Sequence, residues 1–276
     1  MNKSKTEPSK KAIITASILL FLAVFVQWQI YDLIMLYFSL SSTITLILYL
    51  LMPLLSLAIY ALFVKLIKSE FRDHGYRLPS LVNARKCLLL TLALIVIYIL
   101  FMLTPGIMGT IGSVRFPSSL TGIIYKLANA VLFSLATESI FRGYIFRNLL
   151  KGGMSFFPSL YASAIMFSLS EISIYNMLRM SSERLMIHIF TNILVTFAEG
   201  LFLGFYFYKT GWSLLGPAVF RMGILFFFEP NPILSVSSPW WMIMTFEIAT
   251  FALMILLVDA AIIEPRYMRK KYGLES

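Results

Sequence analysis

The segment from Ala136 to Leu150, ATESIFRGYIFRNLL, places a carboxylate and a guanidinium inside a strongly apolar helical pattern. Glu138 and Arg142 are four residues apart, so they share one face of a helix. A carboxylate there can act as a general base, and a guanidinium can orient it or stabilise a developing anion. The same spacing also suits an ordinary helix-stabilising ion pair, with Arg142 near enough to a helix end to reach the interface.

Other polar side chains interrupt the apolar parts of the sequence, where an ionisable group costs roughly 3 kcal/mol or more at membrane depth and so indicates function. They are Glu171, His188, Asn192, Glu199, Arg221 and Glu247. All but Glu247 fall on the fourth to seventh apolar runs. This clustering predicts that those four helices enclose a polar interior, while the first three runs and the eighth mostly face lipid.

The simplest expectation for several of these residues is structural. His188 and Asn192 share one helix face and are expected to make a polar contact between helices. Glu199 is expected to bond to a neighbouring backbone, and Glu247 to pack against another helix. With two histidines and one cysteine in the chain, no metal and no cofactor is predicted.

The elements that must position these groups are apolar helices. The chain has 276 residues, of which 59% are hydrophobic and 13% charged, and its mean hydropathy is +0.84. This composition predicts an all-α, polytopic integral membrane protein with about eight transmembrane helices. The apolar runs fall near 12–31, 43–67, 87–104, 119–146, 156–178, 185–208, 213–228 and 240–263.

The distribution of basic residues predicts the orientation. The net charge is +10, and most Lys and Arg fall in the two termini and in alternate connections between runs. By the positive-inside rule, both termini are expected in the cytoplasm of a cell-membrane protein. The charge then indicates anionic lipid headgroups as a partner, and no nucleic acid is expected.

Three segments carry a family resemblance: ESIFRGYIFRNLL, SLYASAIMFSLSEI and GLFLGFYFYKTGWSLLGPAVF. Their order and spacing resemble the core of the CPBP family, which includes the CAAX prenyl endopeptidases and the Abi-type membrane proteins. The similarity covers about residues 119–228. It divides the chain into N-terminal helices with a cytoplasmic loop (1–118), a CAAX-protease-like core (119–228), and a last helix with a basic tail (229–276).

The resemblance implies an intramembrane endopeptidase, but the motif positions depart from the family pattern. That pattern is Glu-Glu-x-x-x-Arg, then Phe-x-x-x-His, then a His with an Asn four residues later. Here Glu138 and Arg142 are retained, and Thr137 replaces the first Glu, which serves the family as base. Glu171 replaces the second-motif His. Arg221 (or Met222) stands at the third-motif His, and Leu225 (or Phe226) at the Asn.

These replacements predict a Glu171–Arg221 ion pair that fills the former active site, because opposite charges at depth satisfy each other. The favoured function is therefore non-catalytic binding of a membrane protein, a hydrophobic or prenylated peptide, or a lipid. A second hypothesis is an active endopeptidase in which Glu138 or Glu171 is the base and Arg221 the oxyanion donor. A third is a small transporter, although no internal repeat is visible.

Overall fold

The computed structural model describes residues 9–38, 40–76, 81–108, 120–228 and 240–262. Every regular element in these residues is a helix. Two are not α-helices: the 3₁₀ turn Phe71–His74 and the π-helix Ser139–Phe146. The α-helices are α1 (Lys10–Tyr37), α2 (Ser42–Leu66), α3 (Leu81–Met108), α4 (Leu120–Glu138), α5 (Arg147–Lys151), α6 (Phe156–Ser170), α7 (Ile174–Arg179), α8 (Ser182–Lys209), α9 (Leu215–Phe228) and α10 (Trp240–Ala261).

The described helices confirm an all-α polytopic membrane protein. Six helical stretches are long and apolar enough to cross a bilayer, and α6 and the Leu215–Phe227 stretch of α9 are shorter apolar helices. Together they match the eight predicted runs. Large apolar side chains on the outside of these helices are exposed, as lipid contact requires; examples are Leu19, Leu51, Leu92, Leu100 and Leu256.

The predicted fifth run, 156–178, is not one helix. It ends as α6 at Ser170 and resumes as α7 at Ile174. The break is held by polar groups of α1: Gln29 donates to the Ile172 carbonyl at 2.8 Å, and Ser173 donates to Asp32 at 2.5 Å. A helix that stops inside protein needs such partners for its terminal backbone groups.

The first two helices also carry more buried polar contact than expected. Trp28 donates to the Ser56 hydroxyl at 2.9 Å, and Ser56 donates to Gln27 at 2.7 Å. Although the outer faces of α1 and α2 are apolar and exposed, their inner faces join the core through hydrogen bonds. Most side chains of α1 and α2 are nevertheless exposed or half-buried, as expected for spans that mostly face lipid.

Two apolar clusters support the region of the polar residues. One joins α3, α8, α9 and α10 through buried rings that include Tyr98, Phe202, Phe220 and Phe251. The other joins α1, α2, α6 and the π-helix. The π-helix and α6 thus belong to one cluster, and α8 and α9 belong to the other. Close packing on both sides therefore fixes the side chains that lie between these four helices.

Some features used in the predictions lie outside the described residues. They are the basic residues of both termini (1–8 and 263–276) and the boundary proposed between 118 and 119. The cytoplasmic placement of the termini and the three-part division of the chain stay predictions.

Candidate functional site

The first motif lies on a π-helix. Ser139–Phe146 (SIFRGYIF) continues α4 without a break, and all eight of its residues are buried. A π-helix has wider turns than an α-helix and frequently occurs at functional sites. Outside partners bond its backbone: Ser163 of α6 donates to the Phe141 carbonyl at 2.7 Å. The widened segment is thus held by the neighbouring helices.

The loop after α2 also docks on this π-helix. His74 is fully buried, and its Nδ1 lies 3.0 Å from the Gly143 carbonyl, which can only accept. Nδ1 therefore carries the proton, and Nε2 accepts from Ser69 at 2.7 Å. Burial lowers the pKa of the His74 imidazole to about 4, so this ring is neutral near pH 7. No motif in the sequence indicated this contact.

The retained pair of the first motif is present but isolated. Arg142 Nη1 lies 3.2 Å from Glu138 Oε1, and both side chains are at most 1% exposed. Among the described residues, neither carboxylate oxygen of Glu138 has a hydrogen-bond partner of good geometry. Inside the buried site, the attraction between opposite charges therefore holds this pair together more than directed hydrogen bonds do.

The second and third motif positions meet as expected, with a further member. Arg221 Nη2 donates to Glu171 Oε1 at 2.8 Å, which is the predicted ion pair. Arg221 Nη1 donates to Glu199 Oε1 at 2.5 Å. The expectation that Glu199 bonds to backbone is therefore wrong. One guanidinium joins three helices, because Glu171 caps α6, Glu199 lies on α8 and Arg221 on α9.

Phe167 connects the two charged pairs. The guanidinium carbon of Arg142 lies 4.3 Å from the centroid of its ring, and that of Arg221 lies 4.6 Å away. An aromatic ring attracts a cation near its face. The ring of Phe167 therefore lies against the guanidiniums of both predicted pairs, Glu138–Arg142 and Glu171–Arg221, and Glu199 is a fifth charged member through Arg221.

The positions where the family pattern expects catalytic groups hold other chemistry. The Thr137 hydroxyl donates back to its own helix, to the carbonyls of Phe133 at 2.9 Å and Ser134 at 3.2 Å. Leu225 is buried and apolar, so it offers no hydrogen bond to an oxyanion. The Arg221 guanidinium, which could stabilise an anion, already donates from both terminal nitrogens to carboxylates.

The remaining polar residues lie outside this cluster. His188 and Asn192 bond to each other at 3.1 Å along α8, so the predicted contact between helices is instead a contact within one helix. Glu247 accepts from Tyr98 of α3 at 3.2 Å, which confirms that it packs against another helix. Among the described residues, no group of three or more His, Cys, Asp or Glu side chains is arranged to hold a metal ion.

Comparison with known proteins agrees with the arrangement of the motifs. Residues 118–227 match the family model described as Rce1-like, the type II CAAX prenyl endopeptidase Rce1-like family. No curated protein matches the chain. The matched segment begins just before α4 and ends within α9, so it includes the π-helix and all five charged residues around Phe167. Residues 118–227 are therefore similar to the Rce1-like family, which confirms the resemblance of this segment to the CAAX proteases.

Proposed function

We propose that this protein is a non-catalytic Rce1-like membrane protein that acts by binding a hydrophobic partner within the bilayer. The partner would be a membrane protein, a hydrophobic or prenylated peptide, or a lipid. One observation carries the proposal: Arg221 is bonded to Glu171 and Glu199 where the family pattern expects a histidine.

The chemistry of peptide hydrolysis explains why this contact argues against catalysis. Hydrolysis needs a base, a water molecule and a donor for the oxyanion. Two carboxylates already pair with the Arg221 guanidinium, so an oxyanion beside it would be a third negative charge on one cation. Turning the guanidinium from a carboxylate to the oxyanion would leave a buried charge without its partner, which costs several kcal/mol. The closed ion cluster thus favours retention of the fold without the reaction.

The burial of the first motif supports the same conclusion. Glu138 is 0% exposed and Arg142 1% exposed, so bulk water does not reach the retained carboxylate in this conformation. The hydroxyl of Thr137 is held by its own helix, and a hydroxyl is not a base near neutral pH. A binding role needs none of these groups to react.

One observation favours the second candidate, an active endopeptidase with a rebuilt site. Glu138 lies outside the Arg221 cluster, and among the described residues its oxygens have no hydrogen-bond partner of good geometry. A carboxylate in that state is the base that such an enzyme would use, after an opening that admits water.

A cleavage and binding assay on the full chain separates the two candidates. The chain is reconstituted in phosphatidylcholine nanodiscs and incubated with a prenylated peptide or its unprenylated counterpart. Saturable binding of the intact prenylated peptide, with no new fragment by mass spectrometry, is the expected result. Absence of saturable binding would overturn prenylated-peptide recognition.

Variants complete the assay. If fragments appear and Glu138→Gln or Glu171→Gln abolishes them, the protein is an endopeptidase and the non-catalytic proposal is wrong. Glu247→Gln is the matched control, because it also removes a charge at membrane depth but lies on α10, away from the cluster. Under the binding proposal, none of these three variants produces or removes a fragment.

A further inference from the structure

A groove between α4 and α9 has no role in the charged site. We define the α4–α9 groove by Val131 and Leu135 of α4, Leu215, Val219 and Met222 of α9, and Tyr76 at one end. Its volume is about 380 Å³, within the range of small-molecule sites, roughly 300–1,000 Å³.

The position of the groove follows from helical spacing. On α4, Leu120, Ile124 and Leu127 are 73%, 59% and 45% exposed. Val131 and Leu135 continue this stripe at spacings of about three to four residues, and both are half-buried. The exposed part of the stripe faces lipid because it is apolar and lies in a membrane-spanning helix.

The α9 wall has the same pattern. Leu215, Val219, Met222 and Phe226 recur every three to four residues, and all are half-buried. The groove therefore lies where the lipid-facing stripes of two neighbouring helices meet, and its open side faces the hydrocarbon of the bilayer.

The polar groups of the groove are already bonded within the protein. Ser134, between the two walls, donates to the Ala218 carbonyl of α9 at 2.5 Å. The hydroxyl of Tyr76 bonds to that of Ser139 at 2.5 Å. A ligand with a buried polar group would find no partner here, and such a group is costly without one. The occupant is a hydrocarbon chain along its buried length.

One end of the groove is closed by the loop after α2. Leu214, before α9, donates from its backbone to the Gly75 carbonyl at 3.2 Å. The adjacent Tyr76 is 43% exposed. Tyrosine side chains that are partly buried and partly exposed are typical of the membrane interface. This end therefore lies at headgroup level, and the groove runs from there toward the bilayer centre.

We propose that the α4–α9 groove binds one acyl chain of a phospholipid, with the glycerol and headgroup beside Tyr76. The surrounding bilayer presents acyl chains directly to the open side, and the walls recognise only hydrocarbon. This proposal does not depend on whether the ion cluster is catalytic, since none of the five charged residues lines the groove.

The test uses the full chain in phosphatidylcholine nanodiscs that contain a trace of phosphatidylcholine with a photoactivatable acyl chain. After illumination, we expect label in peptides that contain residues 131–135 and 215–222. After transfer to mild detergent, we expect one phospholipid to remain bound by native mass spectrometry, because a chain seated between helices exchanges more slowly than surface lipid.

Variants that fill the groove make the test specific. Val131→Phe and Val219→Phe should each reduce the retained lipid by about tenfold, because an added ring competes for the space. Ile124→Phe is the matched control on the same stripe, outside the groove, and should retain the lipid. Met222→Phe replaces either variant that fails to give a monodisperse, helical protein.

Three outcomes would overturn the proposal. One is a wild-type protein that retains no phospholipid and is not labelled at the groove. Another is retention by the groove-filling variants equal to that of Ile124→Phe. The third is displacement of the bound lipid by geranylgeraniol but not by excess phosphatidylcholine, which would assign the groove to an isoprenoid. Peptide cleavage and binding are separate readouts, so failure here is distinguishable from failure of the proposed function.

Discussion

Arg221 on α9 and Glu199 on α8 are joined by a 2.5 Å hydrogen bond between buried side chains. Because the same guanidinium also reaches Glu171 at 2.8 Å, one cation pairs with carboxylates from two other helices. Its removal would leave both carboxylates facing a poorly solvated interior, and unpaired buried charges are among the most destabilising changes in proteins.

Replacement of Arg221 by methionine should therefore reduce the free energy of unfolding by about 3–5 kcal/mol. The change is measured by denaturant or thermal unfolding in detergent. The triple variant Arg221→Met, Glu171→Gln, Glu199→Gln should recover much of the loss, since it removes the unpaired charges together. Arg179→Met, at an exposed position of α7, is the control and should have little effect. Equal unfolding of Arg221→Met and wild type would contradict the prediction.

Phe167 should contribute more to the free energy of unfolding than the burial of its apolar surface alone accounts for. Phe167→Leu removes contacts with two guanidiniums, whereas Phe141→Leu removes a buried ring that packs against Phe167 at 5.3 Å. Both variants lose that ring pair. The loss of unfolding free energy should thus be larger for Phe167→Leu by about 1–2 kcal/mol, from the cation–ring contacts. Equal losses of unfolding free energy in the two variants would show that the Phe167 ring does not stabilise the guanidiniums.

The pH dependence of stability should report on His74. Its folded pKa is about 4 against an ordinary value of 6.5, because burial disfavours the imidazolium. The unfolded chain therefore binds more protons between these values, and stability falls as the pH is lowered from 6.5 to about 4. The effect is of the order of 3 kcal/mol.

A variant isolates this contribution. The difference in unfolding free energy between wild type and His74→Gln should shrink as the pH falls through that window, because the variant has no imidazole at this site. His188 is present in both proteins, so the comparison isolates His74. A difference that stays constant from pH 7 to pH 4 would contradict the assignment of His74 as a buried neutral ring.

Gly143 should be intolerant of a methyl group. A Cβ there would overlap the backbone carbonyl oxygen of His74, whereas a Cβ at Gly204 would meet the terminal Cδ1 of Leu160. A side-chain end can rotate away more readily than a backbone can move. Gly143→Ala should therefore lower the free energy of unfolding by about 1–3 kcal/mol. Gly204→Ala should lower it by less. Unfolding measurements in which Gly204→Ala is the more damaging variant would contradict this account of how the loop docks.

The lengths of the apolar runs were sufficient to predict the long helices, because the bilayer requires long apolar segments wherever the chain crosses it. They were not sufficient to predict the break between α6 and α7. Residues 171–174 (EISI) contain neither proline nor glycine, and the break is held where Gln29 and Asp32 of α1 bond to the chain. Contacts between residues about 140 positions apart leave no periodic signal.

The charged site was predictable only where a motif aligned it. Glu171 and Arg221 replace residues of one family site, so their contact could be expected. Glu199 belongs to no motif, and a lone glutamate does not reveal its partner. A useful signal was its neighbour Gly200, where a Cβ would lie 3.0 Å from the Ala164 Cα. That close approach brings α8 against α6, which ends at Glu171.

The threefold attachment at Arg221 also has a mechanical consequence. The side chain of Arg221 joins α6, α8 and α9. If one of these helices slid or tilted alone, it would separate paired charges in a poorly hydrated interior. These three helices would move as one rigid block, and any opening must occur at their borders with other helices. The contact between α4 and α9 is such a border. It includes the hydrogen bond from the Ser134 hydroxyl to the Ala218 carbonyl and the Arg221 guanidinium 6.0 Å from the centroid of the Phe133 ring. A lipid chain in the groove there would act as a removable wedge between the two helices.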